Sequence, residues 1–358
     1  MQLKTVRRFN SKSRSNFPPA VSTGNTLPPI YFYLPASYYS VSSNSLKHDW
    51  SALNNGVCVW TVQTCHNLQA IGVPCHLTNT FPDEGIVLAH RDALEGYDIQ
   101  SKSGAMLICI KAEREGHPAA QLHVVQNPRD RNFRNSYFMP HWTQPQLVAR
   151  DRDRGDRFET IAYFGRPGNL APELQDAAWG KKLQEMGLKW RICENREEWI
   201  DYSQIDATIS VRSFDRRQLS QTNCFFCKPA TKLYNSWLAG TPAILGCESA
   251  FQGERRSELD YLEVSSVQSA IAALQNLRDN PSLRQAMQEN ARSRAAEILP
   301  QQITLRWHDF LQQVAIPTYQ HWQQTPLKLR QLQGFGGTLD VKRYRFKQKA
   351  RSFISSIF

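Results

Sequence analysis

Short, uninterrupted apolar runs are the feature that most constrains this chain. IYFYL (30–34), GIVLAH (85–90), MLICIK (106–111) and LHVVQ (122–126) each close on polar or glycine-containing turns, as do TIAYFG (160–165), ATISVR (207–212) and PAILG (242–246). A strand with one wet face alternates apolar and polar residues, whereas a run without alternation is buried on both faces, the condition of a parallel sheet covered by helices. CHLTN (75–79) and LKWRI (188–192) extend the two series. Helix-length segments lie between them at about 50–71, 171–186, 266–278 and 282–298. In the first, Leu53, Val57, Trp60, Thr64 and Leu68 share a face while Asn54, Asn55 and Gly56 weaken the start; Asp279, Asn280 and Pro281 break the last two apart. The pattern predicts an α/β protein of two parallel-sheet halves in tandem with a cleft between them, binding ligands at the carboxyl ends of the strands.

The 358 residues are ample for two cores, and the composition shifts suggest where to divide them. We expect a disordered basic arm over 1–27, a first domain over 28–140, a linker over 141–159, a second domain over 160–320 and a basic tail over 321–358. The linker alternates Arg and Asp, most of which read as solvated ion pairs. The net charge of +11 sits largely at the ends: Lys4, Arg7, Arg8, Lys12 and Arg14 in the arm, and eight Lys or Arg from Lys328 onward against the single acid Asp340. Such ends suit RNA or anionic lipid. Neither domain carries the basic and aromatic stripe of an RNA-binding sheet, so a nucleic-acid-binding protein ranks behind. The closing segment VKRYRFKQKARSFISSIF, with Tyr344, Phe346, Phe353, Ile354 and Phe358, reads either as a helix lying on an anionic membrane or as a disordered or self-packing basic tail. No apolar run reaches the roughly 20 residues of a membrane span and the N-terminus lacks an apolar secretory segment, so the expectation is a cytoplasmic protein, peripheral at most on the inner face of the membrane. The eight cysteines lie within apolar stretches. Cys224 and Cys227 form a C-x-x-C without a second pair, which favours packing over metal or redox chemistry.

One stretch carries chemistry. CKPATKLYNSWLAGTPAILGCES (227–249) is punctuated as a helix from Pro229 to Gly240, placing Lys228, Thr231, Lys232 and Asn235 on one stripe and Leu233, Trp237 and Leu238 elsewhere. The helix N-terminus is already electropositive, so two lysines there oppose the dipole unless an anion joins them. No acid precedes Glu248, and Arg212 ends the preceding predicted strand. Together these residues describe a phosphate site, with Thr supplying a hydroxyl and Asn a group able to bond a ribose.

KPATKLYNSWLAGTPAILGCESAF resembles the donor-binding segment of GT-B glycosyltransferases of the bacterial polysaccharide type, in which a helix and the strand after it hold a nucleotide diphosphate; the T-K pair is similar to the E-K pair of fucosyltransferase-like members. The resemblance extends less sharply over most of residues 120–298. It implies a GT-B fold, two Rossmann-like domains facing a central cleft, with a nucleotide-diphosphate sugar on the second domain and a glycan or lipid-linked acceptor on the first. By position it assigns Lys228, Thr231 and Lys232 to the diphosphate, Arg212 to a phosphate oxygen, Asn235 to the ribose, and Glu248 and Ser249 to sugar or ribose. Gly165 and Gly168 would let the backbone approach the donor. Thr231 stands where fucosyltransferase-like members have Glu, and Asn235 where retaining members often have Glu. The expected activity is hexosyl or deoxyhexosyl transfer without a metal or other cofactor, a catalytically inactive nucleotide-sugar-binding protein being the alternative on the same fold. Asp151 and Asp153 match a D-x-D only in letters. For the base, His90 and Asp92 at the end of GIVLAH are the first candidates and His141 the next.

Overall fold

The computed structural model describes residues 27–39, 55–94, 104–130, 132, 133 and 135–357. The chain divides into two α/β units: one takes residues up to Met139 together with Ile303–Lys347, the other Pro140–Gln302 together with Gln348–Phe358.

In the first unit, β1 (Ile30–Tyr33), β2 (Cys75–Thr78), β3 (Ile86–His90), β4 (Met106–Ile110), β5 (Leu122–Val125) and β6 (Ser136–Phe138) form one sheet in the order β2-β1-β3-β4-β5-β6. Every pairing is parallel, with Ile86 opposite Met106 and His90 opposite Ile110. All residues of β3, β4 and β5 are buried, which is why their sequences do not alternate. The expected helix over 50–71 runs from Gly56 to Ala70, interrupted by a π-helical turn at Val59–Gln63; 50–54 lie outside the described residues. Asn55 starts it, its side chain accepting from the Cys58 N–H at 2.9 Å, so the asparagine that weakened the reading is the cap. The expected rhythm of crossover helices fails beyond β4: the connections to β5 and from β5 to β6 have no helix among the described residues. They are pinned instead by a buried ion pair, Lys111 Nζ to Asp130 at 2.6 Å.

In the second unit, β7 (Thr160–Phe164), β8 (Lys189–Cys193), β9 (Ala207–Ser210), β10 (Ala243–Gly246) and β11 (Leu262–Val264) are ordered β11-β10-β9-β7-β8, again all parallel. The helix expected over 171–186 is confined to Ala177–Glu185, capped by Asp176, because Pro167 and Pro172 hold the preceding chain in short 3-10 turns. The two later helices are Val267–Asp279 and Pro281–Ala295, capped by Ser266 and Asn280. Trp179, Leu183, Leu274 and Leu277 close one face of the sheet around Ile161, Tyr163 and Ile209.

Three stretches refine the sequence reading. In 141–159 Asp151, Arg152, Asp153, Asp156 and Arg157 are exposed, but Arg154 is buried and, with Arg150, converges on buried Asp206 at 2.7 and 2.9 Å. Ile303–Lys347 groups with the first sheet, where Trp307 stacks edge-on to Trp60 at 6.3 Å and Phe310 packs against Tyr137 at 5.3 Å. The segment from 327 is a helix, Leu327–Ile357, which decides between the two readings of its structure. The arm over 1–27 lies outside the described residues except Leu27. All eight cysteines are free thiols, five of them buried. Among the described residues no helix is long and apolar enough to cross a membrane.

In both sheets the strand order reverses beside the first strand, between β1 and β3 and between β7 and β9. Connections leave such a pair in opposite directions and open a crevice at the carboxyl ends.

Candidate functional site

In the second unit the crevice opens beyond Phe164 and Ser210. The chain leaves β7 through Gly165, whose φ of +144° is one that side-chain-bearing residues rarely adopt. A Cβ there would stand 2.9 Å from Lys232 Nζ and 3.0 Å from the Tyr163 hydroxyl, so the glycine makes room for the lysine. Lys232 Nζ donates to the Phe164 carbonyl at 2.7 Å and lies 3.7 Å from the centre of the Tyr163 ring, a close cation–π contact. Burial pushes its ammonium well below the usual lysine range; the Arg212 charge adds to this and Glu248 opposes it. Burial likewise raises the Tyr163 phenol to about 12, its hydroxyl donating to the Arg166 carbonyl at 3.0 Å.

Arg212 follows β9 by two residues. Its Nε donates to Glu248 at 3.0 Å, Nη1 donates to the Asn169 side chain at 2.7 Å, and the guanidinium lies 5.9 Å from the centre of the Phe225 ring. Glu248, two residues past β10, is buried. Burial raises its carboxyl, and Arg212, then Lys232 and Lys228, pull it back. Three cations thus act on one carboxylate, and two of the four groups are driven towards neutrality by burial.

The helix that organises this crevice is Thr231–Ala239, with Ala230 at its cap and Gly240 closing it at φ +68°. The expectation of a helix from Pro229 is corrected by two residues. Lys228 therefore sits in the preceding turn, its N–H bonded to the Phe225 carbonyl at 2.8 Å, and only Thr231, Lys232 and Asn235 share the helix. The first turn contains no acid and no side-chain cap. The Thr231 hydroxyl, in the first helical residue, is enclosed and has no hydrogen-bond partner among the described residues. Leading into this end, Asn223, Cys224 and Phe225 are consecutive non-glycine residues with φ of 51°, 54° and 50°. Left-handed backbone of this kind costs about 1 kcal/mol or more per residue. It is held by the Ser249 N–H donating to the Cys224 carbonyl at 2.8 Å, which ties the turn to the end of β10.

The crevice thus brings together Gly165, Arg212, Lys232 and Glu248, with Lys228, Thr231 and Ser249 on adjoining turns. Asn235 is buried one turn further along, its Oδ1 accepting from the Gln144 N–H at 3.3 Å and its side chain bonded to Tyr202; it shares no hydrogen bond with Arg212 or Lys232. Gly168 faces open space, with nothing within 4 Å of where a Cβ would stand. Sequence reasoning missed Tyr163, Asn169 and Phe225. An apolar strand residue and two loop residues give no signal until the fold seats them around a lysine and an arginine.

His90 and Asp92 belong to the first unit, beside the β1–β3 crevice. His90 is buried, and its Nδ1 accepts the Asp92 N–H at 3.1 Å, which leaves the ring proton on Nε2. The Asp92 carboxylate lies 3.9 Å from Nδ1 and is bonded by Arg114 Nε at 2.8 Å. His141 Nδ1 is taken by the Trp142 carbonyl at 2.7 Å. Asp151 accepts from the Asp153 N–H, closing its own turn. Among the described residues no cluster of three or more His, Cys, Asp or Glu could hold a metal ion.

No family model matches the chain, and no curated protein matches it. Among solved structures it is similar to TarM, at 7% identity over 70% of this chain with a TM-score of 0.44. It is also similar to the sucrose-phosphate synthase of Thermosynechococcus elongatus, at 12% identity over 80% of this chain and 99% of that one, TM-score 0.46. A third is Anabaena Alr3699/HepE in complex with UDP and glucose, at 9% identity over 80% of this chain and 100% of that one, TM-score 0.47. The chain spans 58% of the length of TarM.

Proposed function

We propose that this chain is a GT-B-type glycosyltransferase that moves a hexosyl or deoxyhexosyl group from a nucleotide-diphosphate sugar to a glycan or lipid-linked acceptor, with the second unit holding the donor and no metal required. The observation that carries the reading is the cationic crevice beyond β7 and β9, where Arg212 and Lys232 meet across Glu248 beside a helix start whose threonine hydroxyl has no partner among the described residues. Sugar transfer leaves a diphosphate, and its charge must be stabilised as the glycosidic bond breaks. Fixed guanidinium, ammonium and backbone N–H groups can do this. Lys228, Thr231, Lys232 and Arg212 are assigned to the diphosphate, and Glu248 and Ser249 to the sugar or ribose beyond it. Gly165 and Gly168 line the approach, and Asn235 is the ribose candidate on the same helix.

For the acceptor hydroxyl, His90 is the proposed base. That role requires the other tautomer: the proton moves to Nδ1, the bond from the Asp92 N–H is given up, and the Asp92 carboxylate 3.9 Å away becomes the partner of Nδ1. In that tautomer Nε2 carries the ring lone pair, the one that would take the acceptor's proton.

Thermal unfolding of the full chain against UDP-, GDP-, dTDP- and CMP-sugars tests the donor assignment. A ligand at 100 times its Kd stabilises by about 2.7 kcal/mol, so one nucleotide should raise the midpoint by several degrees. Lys232→Ala should lose that rise. A flat response of the wild-type protein to every donor would sink the reading.

A further inference from the structure

The helix Leu327–Ile357 carries a feature that sugar transfer does not use. Leu332, Leu339 and Phe346 recur every seventh residue and are 62%, 64% and 73% exposed; the spacing continues to Phe353. The opposite face is seated on the first unit: Val341 and Tyr344 are buried, Tyr344 stacking on Phe133 at 5.3 Å, and Arg330 lies buried over Trp322. At about 100° per residue, Lys342 flanks the exposed row on one side and Arg343 and Lys347 flank it on the other. All three are exposed and, like Lys349 one turn on, make no ion pair among the described residues, while the helix's only acid, Asp340, is buried.

We propose that this face docks the protein on an anionic bilayer surface, with Leu332, Leu339 and Phe346 entering the headgroup boundary and Lys342, Arg343, Lys347 and Lys349 meeting lipid phosphates. The chemistry selects this occupant. A large apolar row between two basic margins matches an anionic interface, apolar below and charged at its edge. A second copy in a coiled coil needs two adjacent apolar rows, whereas the rows on either side here read Leu329, Gly336, Arg343, Ala350 and Lys328, Phe335, Lys342, Lys349, each broken by cations. A nucleic-acid groove would use the cations but leave the Leu and Phe row in water. The inference is independent of the donor site and tests apart from it.

The test is co-sedimentation of the full-length protein with vesicles of phosphatidylcholine alone and of phosphatidylcholine with 30% phosphatidylglycerol. Binding to the anionic vesicles only, weakened in high salt, is the expected result. Leu339→Gln with Phe346→Gln should lower it at least tenfold, and each cation changed to Gln among the four should lower it roughly fivefold. These side chains are exposed, so the variants should keep the wild-type unfolding midpoint and any nucleotide response. Undiminished binding by the Leu339/Phe346 variant, or equal binding to neutral vesicles, overturns the proposal. A dimer abolished by that same variant, or RNA binding lost with the cations while vesicles are ignored, overturns it in favour of those partners.

Discussion

Lys232 and Glu248 are pushed in opposite directions by the same cause. Burial lowers the lysine and raises the glutamate, so each is driven towards its neutral form. A diphosphate arriving beside them favours the ammonium and disfavours the carboxylate, so binding takes up protons. Affinity for a nucleotide sugar, whose diphosphate has no titrating group near neutrality, should therefore fall as pH rises through the lowered Lys232 value. Calorimetry in buffers of different ionisation enthalpy should show net proton uptake; release of protons, or affinity flat with pH, contradicts the assignment of Lys232 to the diphosphate. Gly165 is the second sensitive position. Gly165→Ala forces a side-chain residue to φ +144° and moves the lysine ammonium or the Tyr163 hydroxyl. We expect a loss of about 1–3 kcal/mol in denaturant unfolding and weaker nucleotide binding. The lysines were legible because charge at the wrong end of a helix stands out in a sequence. That Lys232 would be roofed by Tyr163 and bonded to a strand carbonyl was not, since that depends on how β7 and the helix are brought together.

Elements followed the same division. The buried strands β3, β4, β7 and β10 were readable from apolar runs, and the Val267–Asp279 and Pro281–Ala295 helices from the Asp279–Asn280–Pro281 break. β6 and β11 are only three residues each, too short for a run to show, and the helix start at Thr231 was misplaced because Pro229 imitates a first helical residue. In 141–159 the roles of Arg150 and Arg154 were hidden, since alternating charge looks solvated until a buried partner is known. Asp206 accepts from both Arg150 and Arg154 and from the backbone N–H groups of Glu159 and Thr160, at 2.7 to 3.1 Å. Asp206→Ala leaves two guanidinium groups without their anion, and we expect a loss of about 3–5 kcal/mol in chemical denaturation, against little change for an exposed Asp such as Asp153. Burial opposes ionisation of Asp206, but the hydrogen bonds from Arg154, the two backbone N–H groups and Arg150 together hold its carboxyl below the usual range. The stability it contributes is therefore present above pH 3.8 and lost as pH falls through the lowered value. An acid unfolding midpoint that does not move in Asp206→Asn would count against this reading.

At the level of the whole chain, the order of domains along the sequence is not the order in which cores close. The first sheet is complete in strands by Phe138, yet Trp60 is capped by Trp307, Tyr137 by Phe310, and the Gly85 N–H donates to the Tyr319 hydroxyl at 3.1 Å, so this unit is finished by residues more than 160 positions later. Sequence reading placed the boundary at 320 because helices after a final strand pack by default on the sheet just made, and nothing in Trp307 or Phe310 states which sheet they cover. Trp60, Trp307 and Phe310 are among the largest fully buried side chains, and exposing a buried aromatic costs about 3 kcal/mol or more. A fragment ending at Met139 should therefore lack a cooperative transition, because its unit exposes all three contacts at once. The fragment 140–302 contains its whole sheet and the helices that cover it, and should unfold cooperatively on its own. Near-UV circular dichroism and thermal scans of the two fragments decide the matter: a native-like, cooperatively melting 1–139 would show that the returning segment is ornamental, whereas recovery of its signal on adding 303–347 in trans is the outcome this architecture requires.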